Sequence, residues 1–233
     1  MNSRAMQPPA LPSRPTLHRK WSRGLYLITP DDNDTRRLLA RVDAVLEHAA
    51  LLQYRNKPAN STLRHTQAEA LHGLCAARGV PMIVNDDLAL ARTIGAEGVH
   101  LGEDDGDVPA ARATLGPDAV IGVSCYDALD RARAAAAQGA SYIAFGAFFP
   151  SFTKPLARRA SFDLLHDSAA LGLPRVAIGG ITPDNARSVI EAGADLIAVI
   201  SGVFDAPDPI GAARAYCSAF DHAGFERACF HPD

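Results

Sequence analysis

The chain has 233 residues, of which 48% are hydrophobic and 21% charged, a balance ordinary for a soluble globular protein and a length that fits one large domain, as α/β barrels commonly are, or two small ones. A formal net charge of −3 excludes broad nucleic-acid binding, which needs a basic surface to neutralise phosphates. No apolar stretch reaches the length of a membrane span, and Cys75, Cys125, Cys217 and Cys229 form no metal-binding pattern, so reduced thiols in a cytoplasmic protein are expected.

Residues 1–22 carry prolines and basic residues without the apolar core of a secretory signal. They read as a disordered leader whose end is anchored by Trp21. From there strand-like and helix-like segments alternate. Gly24 to Thr29 reads as strand and Arg36 to Ala49 as helix. Ala50 to Tyr54 is strand, and Thr62 to Arg78 is a helix ended by Gly79 in the left-handed conformation. Pro81 to Val84 is strand, Leu88 to Ile94 helix and Val99 to Leu101 strand. Val108 to Leu115 is a helix stopped by Gly116-Pro117. Val120 to Val123 is strand, Ala128 to Gln138 helix and Tyr142 to Ala147 strand. Phe162 to Leu171 is helix, and Val176 to Ile178 is strand. Pro183 to Ala192 is helix, Leu196 to Ile200 strand, and a last helix covers Pro209 to Phe220.

Alternating strands and helices with near-continuous apolar strands imply a parallel sheet covered by helices. Eight such strands predict a (β/α)₈ barrel in one domain over 23–222, followed by a tail over 223–233. An open doubly wound sheet is disfavoured, because Thr29-Pro30-Asp31-Asp32 is not a glycine-rich nucleotide turn.

A barrel carries its active site at the C-terminal ends of its strands. Gly179-Gly180-Ile181 and Val199-Ile200-Ser201-Gly202 end the last two strands, where glycines let backbone N–H groups approach a phosphate monoester. The competing reading is that they only serve tight turns. Gln53, Arg55 and Lys57 share a parity and would face one way into the barrel mouth, unless the two cations merely line a solvated loop. Asp86, Asp87, Asp104 and Asp105 each precede a helix, where Asp is a favoured cap. One cap suffices per helix, so Asp87 is the better cap and Asp86 is available to the pocket. Asp86 with Asp105 would hold Mg²⁺ together with substrate phosphate oxygens, while Asn85 and Ser124 donate to those oxygens. The loop Gly146 to Pro155 is long for its place, and Lys154 would enter the site only on closure. His100, alone on an apolar strand, reads as structural. These residues describe two anion sites on one rim and no general base, which suits departure of diphosphate by positioning and electrostatic stabilisation.

In chain order, Gln53-x-Arg55-x-Lys57, Asn85-Asp86-Asp87, His100-x-Gly102-x-x-Asp105, Gly122-Val123-Ser124, Gly146-x-x-x-Pro150-x-x-Thr153-Lys154, Gly179-Gly180-Ile181 and Ile200-Ser201 resemble the motifs of the thiamine-phosphate synthase family. The resemblance implies a transferase that joins hydroxymethylpyrimidine diphosphate to thiazole phosphate, giving thiamine phosphate and diphosphate. It implies that Gln53 contacts the pyrimidine, and that Arg55, Lys57, Asn85, Ser124 and Lys154 hold the diphosphate. Asp86 and Asp105 would bind Mg²⁺. Gly180, Ile200 and Ser201 would receive the thiazole phosphate beside Ser151 and Thr153. The implied catalytic group is Arg55, Lys57, Ser124 and Lys154.

Three positions depart from the family pattern. Glu103 stands for Gln and adds a negative charge near the metal that would either tighten Mg²⁺ or merely face solvent, Ala147 stands for Pro and is expected to loosen its loop, and Ser151 stands for Thr and keeps the hydroxyl. The partners expected are the two small-molecule substrates, with a homo-oligomer left open and neither nucleic acid nor membrane. The alternative functions are a thiazole tautomerase-like isomerase and a non-catalytic thiamine-phosphate binder.

Overall fold

The structure is a computed structural model that describes residues 21–150 and 158–222. Eight parallel strands, β1 (Gly24–Ile28), β2 (Ala49–Tyr54), β3 (Met82–Asn85), β4 (Gly98–Leu101), β5 (Val120–Tyr126), β6 (Tyr142–Gly146), β7 (Arg175–Ile178) and β8 (Leu196–Val199), close in sequence order into a barrel, with β8 pairing back on β1. The intervening helices are α1 (Thr35–Leu46), α2 (Ser61–Arg78), α3 (Leu88–Ile94), α4 (Val108–Leu115), α5 (Leu129–Ala137), α6 (Asp163–Asp167) and α7 (Pro183–Glu191), followed by α8 (Ser201–Phe204) and α9 (Pro209–His222). The predicted (β/α)₈ barrel is the fold found. Among the described residues no helix is long and apolar enough to cross a membrane.

Period-two alternation divides each strand between two cores. Leu25, Leu27, Leu52, Val84, Val99, Ile121 and Ile143 pack outward against the helices. Tyr26, Ile28, Leu51, Ile83, Val120, Tyr142, Val176 and Leu196 fill the lumen. Trp21, within the stretch read as leader, is buried in this inner core with its ring edge-on to Tyr142 at 6.0 Å. It therefore belongs to the barrel.

Several boundaries differ from expectation for local reasons. Strand β5 runs on through Ser124 to Tyr126 instead of stopping at Val123. The helix expected over 162–171 breaks at Ser168, whose hydroxyl donates to the Leu164 carbonyl, and continues only as a 3₁₀ turn. Gly79 ends α2 in the left-handed region, as expected. Cys75 and Cys125 are free and buried, whereas Cys217 is disulfide-bonded, which corrects the expectation of reduced thiols throughout.

Candidate active site

The loops after β1 and β2 are tied together before any functional side chain is placed. The Thr29 hydroxyl donates to the Arg55 carbonyl and accepts from the Arg55 amide, both at 2.8 Å. Asn56 and Gln67 both donate to the Asp32 carbonyl, at 2.6 and 2.9 Å. Held this way, the Arg55 guanidinium meets Asp31 at 3.0 Å and the Lys57 ammonium meets Asp86 at 3.2 Å. Arg55, Lys57, Asn85 and Asp86 line one cavity of about 290 Å³ at the strand ends. Arg64 of α2 lines it too and lies 3.8 Å from Asp87. The sequence reading missed Arg64, because nothing in the α2 pattern separates a rim arginine from an ordinary surface one.

The doubled aspartates divide by backbone geometry. Asp87 is the cap of α3, its carboxylate accepting from the Leu90 amide at 2.9 Å. Asp86 takes a left-handed conformation at φ 62°, which Asp tolerates better than most residues. Its amide donates to the His100 carbonyl at 2.8 Å, pinning the turn to β4. Neither Asp104 nor Asp105 caps α4; Asp107 does, accepting from the Ala110 amide at 2.7 Å. Asp105 instead accepts from the Gly102 amide at 3.0 Å and hydrogen-bonds Asp86. The carboxyl groups of Asp86 and Asp105 thus converge from two strand ends.

Burial first, then the hydrogen bond and negative charge of Asp86, raise the Asp105 pKa above the usual carboxylate range. Two carboxyls pressed together beside a single ammonium favour a divalent cation. Among the described residues no group of three or more potential metal-ligating side chains exists. Two carboxylates fit what Mg²⁺ usually takes from a protein, one or two carboxylates alongside substrate phosphates.

A chain of hydrogen bonds crosses the lumen under this rim. Gln53 Nε2 donates to the Tyr26 hydroxyl, which lies 2.8 Å from the Tyr142 hydroxyl. Tyr142 Oη lies 2.7 Å from His100 Nδ1, and His100 Nε2 lies 2.8 Å from Ser124 Oγ. Burial depresses the His100 pKa to about 4, so the imidazole is neutral near pH 7. His100, read as structural from sequence, touches a predicted site residue directly. Tyr26 and Tyr142 are site-linked groups that sequence reasoning did not single out; their inward parity was the available signal. Gly122 makes room for the chain, because a Cβ there would sit inside the Tyr142 ring. Arg131 clamps the upper ends of β4 and β5, donating to the Ser124 carbonyl at 2.6 Å and the Gly102 carbonyl at 2.9 Å.

The strand-seven and strand-eight loops behave differently from expectation in one respect. Gly179 and Gly180 have φ values of 99° and 65°. A Cβ on Gly180 would strike the carbonyls of Phe149 and Pro150. Packing against the 147–150 backbone thus requires both glycines whether or not a ligand binds. Ile200 precedes the short α8 and Ser201 is exposed at its start, on the same rim as Gly180. Ala147 is held by backbone hydrogen bonds on the described side. Its amide donates to the Arg158 carbonyl at 2.9 Å, and its carbonyl accepts from Ala160 at 3.0 Å. Glu103 pairs with Arg158 at 4.0 Å. Ser151, Thr153 and Lys154 lie outside the described residues.

Comparisons with known proteins agree with this architecture. A family model described as thiamine monophosphate synthase matches residues 25–203. A thiamine-phosphate synthase of Xanthomonas campestris pv. campestris (strain 8004) is 62% identical over 206 residues, covering 88% of this chain and 99% of that one. Another, of Xylella fastidiosa (strain Temecula1 / ATCC 700964), is 56% identical over 199 residues, covering 85% of each. Among solved structures, a thiamine phosphate pyrophosphorylase from Pyrococcus furiosus aligns with a TM-score of 0.76 at 32% identity, over 88% of this chain and 98% of that one. A 3-hexulose-6-phosphate synthase from Salmonella typhimurium, at 18% identity and a TM-score of 0.67, shares the fold alone.

Proposed function

Since the chain belongs to the thiamine monophosphate synthase family, we propose how its barrel mouth carries out that family's reaction. The protein is a transferase. It joins hydroxymethylpyrimidine diphosphate to thiazole phosphate and releases diphosphate.

Asp86 and Asp105 would hold Mg²⁺, which when bound supplies positive charge to neutralise the diphosphate oxygens. Arg55, Lys57, Asn85 and Ser124, with Lys154, bind and orient the diphosphate. Gln53 orients the pyrimidine from the lumen. The thiazole phosphate is received by the backbone at Gly180 and Ile200 and by Ser201, beside Ser151 and Thr153. The carbon–oxygen bond to the diphosphate breaks first, its electron pair leaving with the diphosphate. The thiazole nitrogen then gives its lone pair to the pyrimidine methylene carbon. No proton need be removed at the bond-forming step, so a site without a general base is adequate, and catalysis rests on positioning and on stabilising the departing charge.

The observation that carries this reading is the convergence of Lys57, Asp86 and Asp105 at the ends of β2, β3 and β4. A thiazole isomerase would not need that constellation, and a binder that retained it would show no turnover. The test is formation of thiamine phosphate by the purified protein from both substrates, with Mg²⁺ and with Mg²⁺ chelated. Turnover that depends on the metal is expected. No turnover with both substrates and metal present would refute the reading, and isomerisation of the thiazole alone would favour the tautomerase.

A further inference from the structure

We infer that Tyr26 and Tyr142 are positioning residues: they order the protons of the lumen chain so that Ser124 keeps its own hydroxyl proton for the substrate diphosphate. The inference rests on the reading of Ser124 as a diphosphate ligand.

The order follows link by link. Gln53 Nε2 can only donate, so Tyr26 Oη accepts from it. The Tyr26 proton then goes to its other partner, Tyr142 Oη, at 2.8 Å. Tyr142 in turn donates to His100 Nδ1 at 2.7 Å. A neutral imidazole that accepts at Nδ1 carries its proton at Nε2. That N–H faces Ser124 Oγ at 2.8 Å, and the serine oxygen accepts it. Ser124, only half-buried at the upper end of β5, is left with a proton directed away from the histidine. A phosphate oxygen is an acceptor only, so a serine that has already accepted from within the fold is matched to it. In the reverse order Ser124 would give its proton to His100 and present only lone pairs to an anion.

A second feature supports a role beyond filling space. The chain is set among apolar lumen side chains, Leu51, Ile83, Val120 and Leu196, that would pack without it. Gly122 is held without a side chain so that the Tyr142 ring can pass it and reach His100. The chain ends on Ser124 and continues to no other described partner.

Two measurements test the inference. Nitrogen-15 NMR of the histidine rings, with the His100 signals assigned by their loss in His100→Asn, reads the tautomer without any substrate. The wild type is expected to carry the proton on Nε2 and leave Nδ1 bare. Tyr142→Phe should give a mixture, and the opposite tautomer in the wild type would overturn the inference.

Titration calorimetry of inorganic diphosphate with Mg²⁺ then reads the consequence. Ser124→Ala should weaken binding roughly tenfold or more, the scale of one hydrogen bond to a charged group. Tyr142→Phe should weaken it at least about threefold, and Tyr26→Phe less. Tyr142→Phe added to Ser124→Ala should change affinity by less than about twofold, because its effect passes through a hydroxyl already absent. Penalties that multiply in the double variant would mean the tyrosine acts only on the fold and would overturn the inference, as would wild-type affinity in Tyr142→Phe. A wild type that binds no diphosphate would remove the site reading and this role with it. The tautomer spectrum distinguishes that failure from a reversed proton order.

Discussion

Replacing Asp86 by Asn separates the charge of this residue from its backbone role. Asn tolerates the left-handed region as Asp does, so φ 62° survives the change. Without metal, two effects oppose. The ion pair with Lys57 at 3.2 Å is lost, but that lysine is 58% exposed, and exposed pairs contribute about 0–1 kcal/mol. Against this, Asp105 is relieved of the neighbouring charge that helps raise its pKa. The variant should therefore unfold within about 2 °C of the wild type, on a scale of 2–4 °C per kcal/mol for a chain of this size. Ligand should reveal the difference. Mg²⁺ with inorganic diphosphate at 100 times its Kd stabilises the wild type by about 2.7 kcal/mol, a rise in Tm of roughly 5–11 °C. In Asp86→Asn the rise should shrink to no more than about 2 °C, and turnover should vanish. Asp87→Ala provides the contrast. Loss of a cap costs about 1 kcal/mol, so Tm falls by about 2–4 °C while the ligand-induced rise persists. Differential scanning fluorimetry with and without ligand measures all of these. A full ligand-induced rise in Asp86→Asn would refute the assignment of Asp86 to the metal.

Gly122→Ala forces a methyl group into the space of the Tyr142 ring; overpacking of about 1–3 kcal/mol should lower Tm by roughly 2–12 °C, and an unchanged melting curve would mean the ring moves aside freely. His100 carries a folded pKa of about 4, below its unfolded value near 6.5. The unfolded chain therefore binds the proton first, and about 3 kcal/mol of stability contributed by the neutral ring should be lost as pH falls from about 6.5 to 4. Denaturant melts across that range should flatten in His100→Asn, and equal slopes would contradict a neutral buried ring. Asp32 has its pKa lowered first by the Arg37 hydrogen bond. Its contribution is present above the unfolded value near 3.9 and lost as pH falls through the lower folded value, so Asp32→Asn should destabilise the protein at pH 7 by about 1 kcal/mol and weaken its acid sensitivity.

Most of the barrel was legible because its signals are local. Period-two strands, 3.6-period helices and the stop at Gly79 need no knowledge of distant residues. The division between Asp86 and Asp87 was also local, since one cap per helix leaves one carboxylate over. What escaped was set by closure of the sheet. That Asp107 caps α4 followed from the predicted start at Val108, but that Asp105 then meets Asp86 depends on how β3 and β4 lie side by side. Tyr26 and Tyr142 come from strands β1 and β6, 116 positions apart in sequence, and meet only because the sheet closes. His100 read as structural because a histidine seen alone on a strand shows no partner; the neighbouring strands β5 and β6 gave it two.

The glycines of β7 change the weight of an argument more than its outcome. A glycine pair at a phosphate-binding position invites the inference that backbone must approach a ligand. Here the approach already made is to the carbonyls of Phe149 and Pro150, so the pair would be required in an empty barrel. The monophosphate assignment must then stand on Ser201 and the family's chemistry and not on the glycines. The β2–β5 rim is the converse case. An Asp in the left-handed region, two carboxyls in contact and a serine fed by a buried polar chain each have a cost, and none is explained by packing. Where the fold alone accounts for a residue, its presence says little about ligand. Where the fold is burdened by a residue, function is the better explanation, and by that criterion the diphosphate half of this mouth is the more strongly supported.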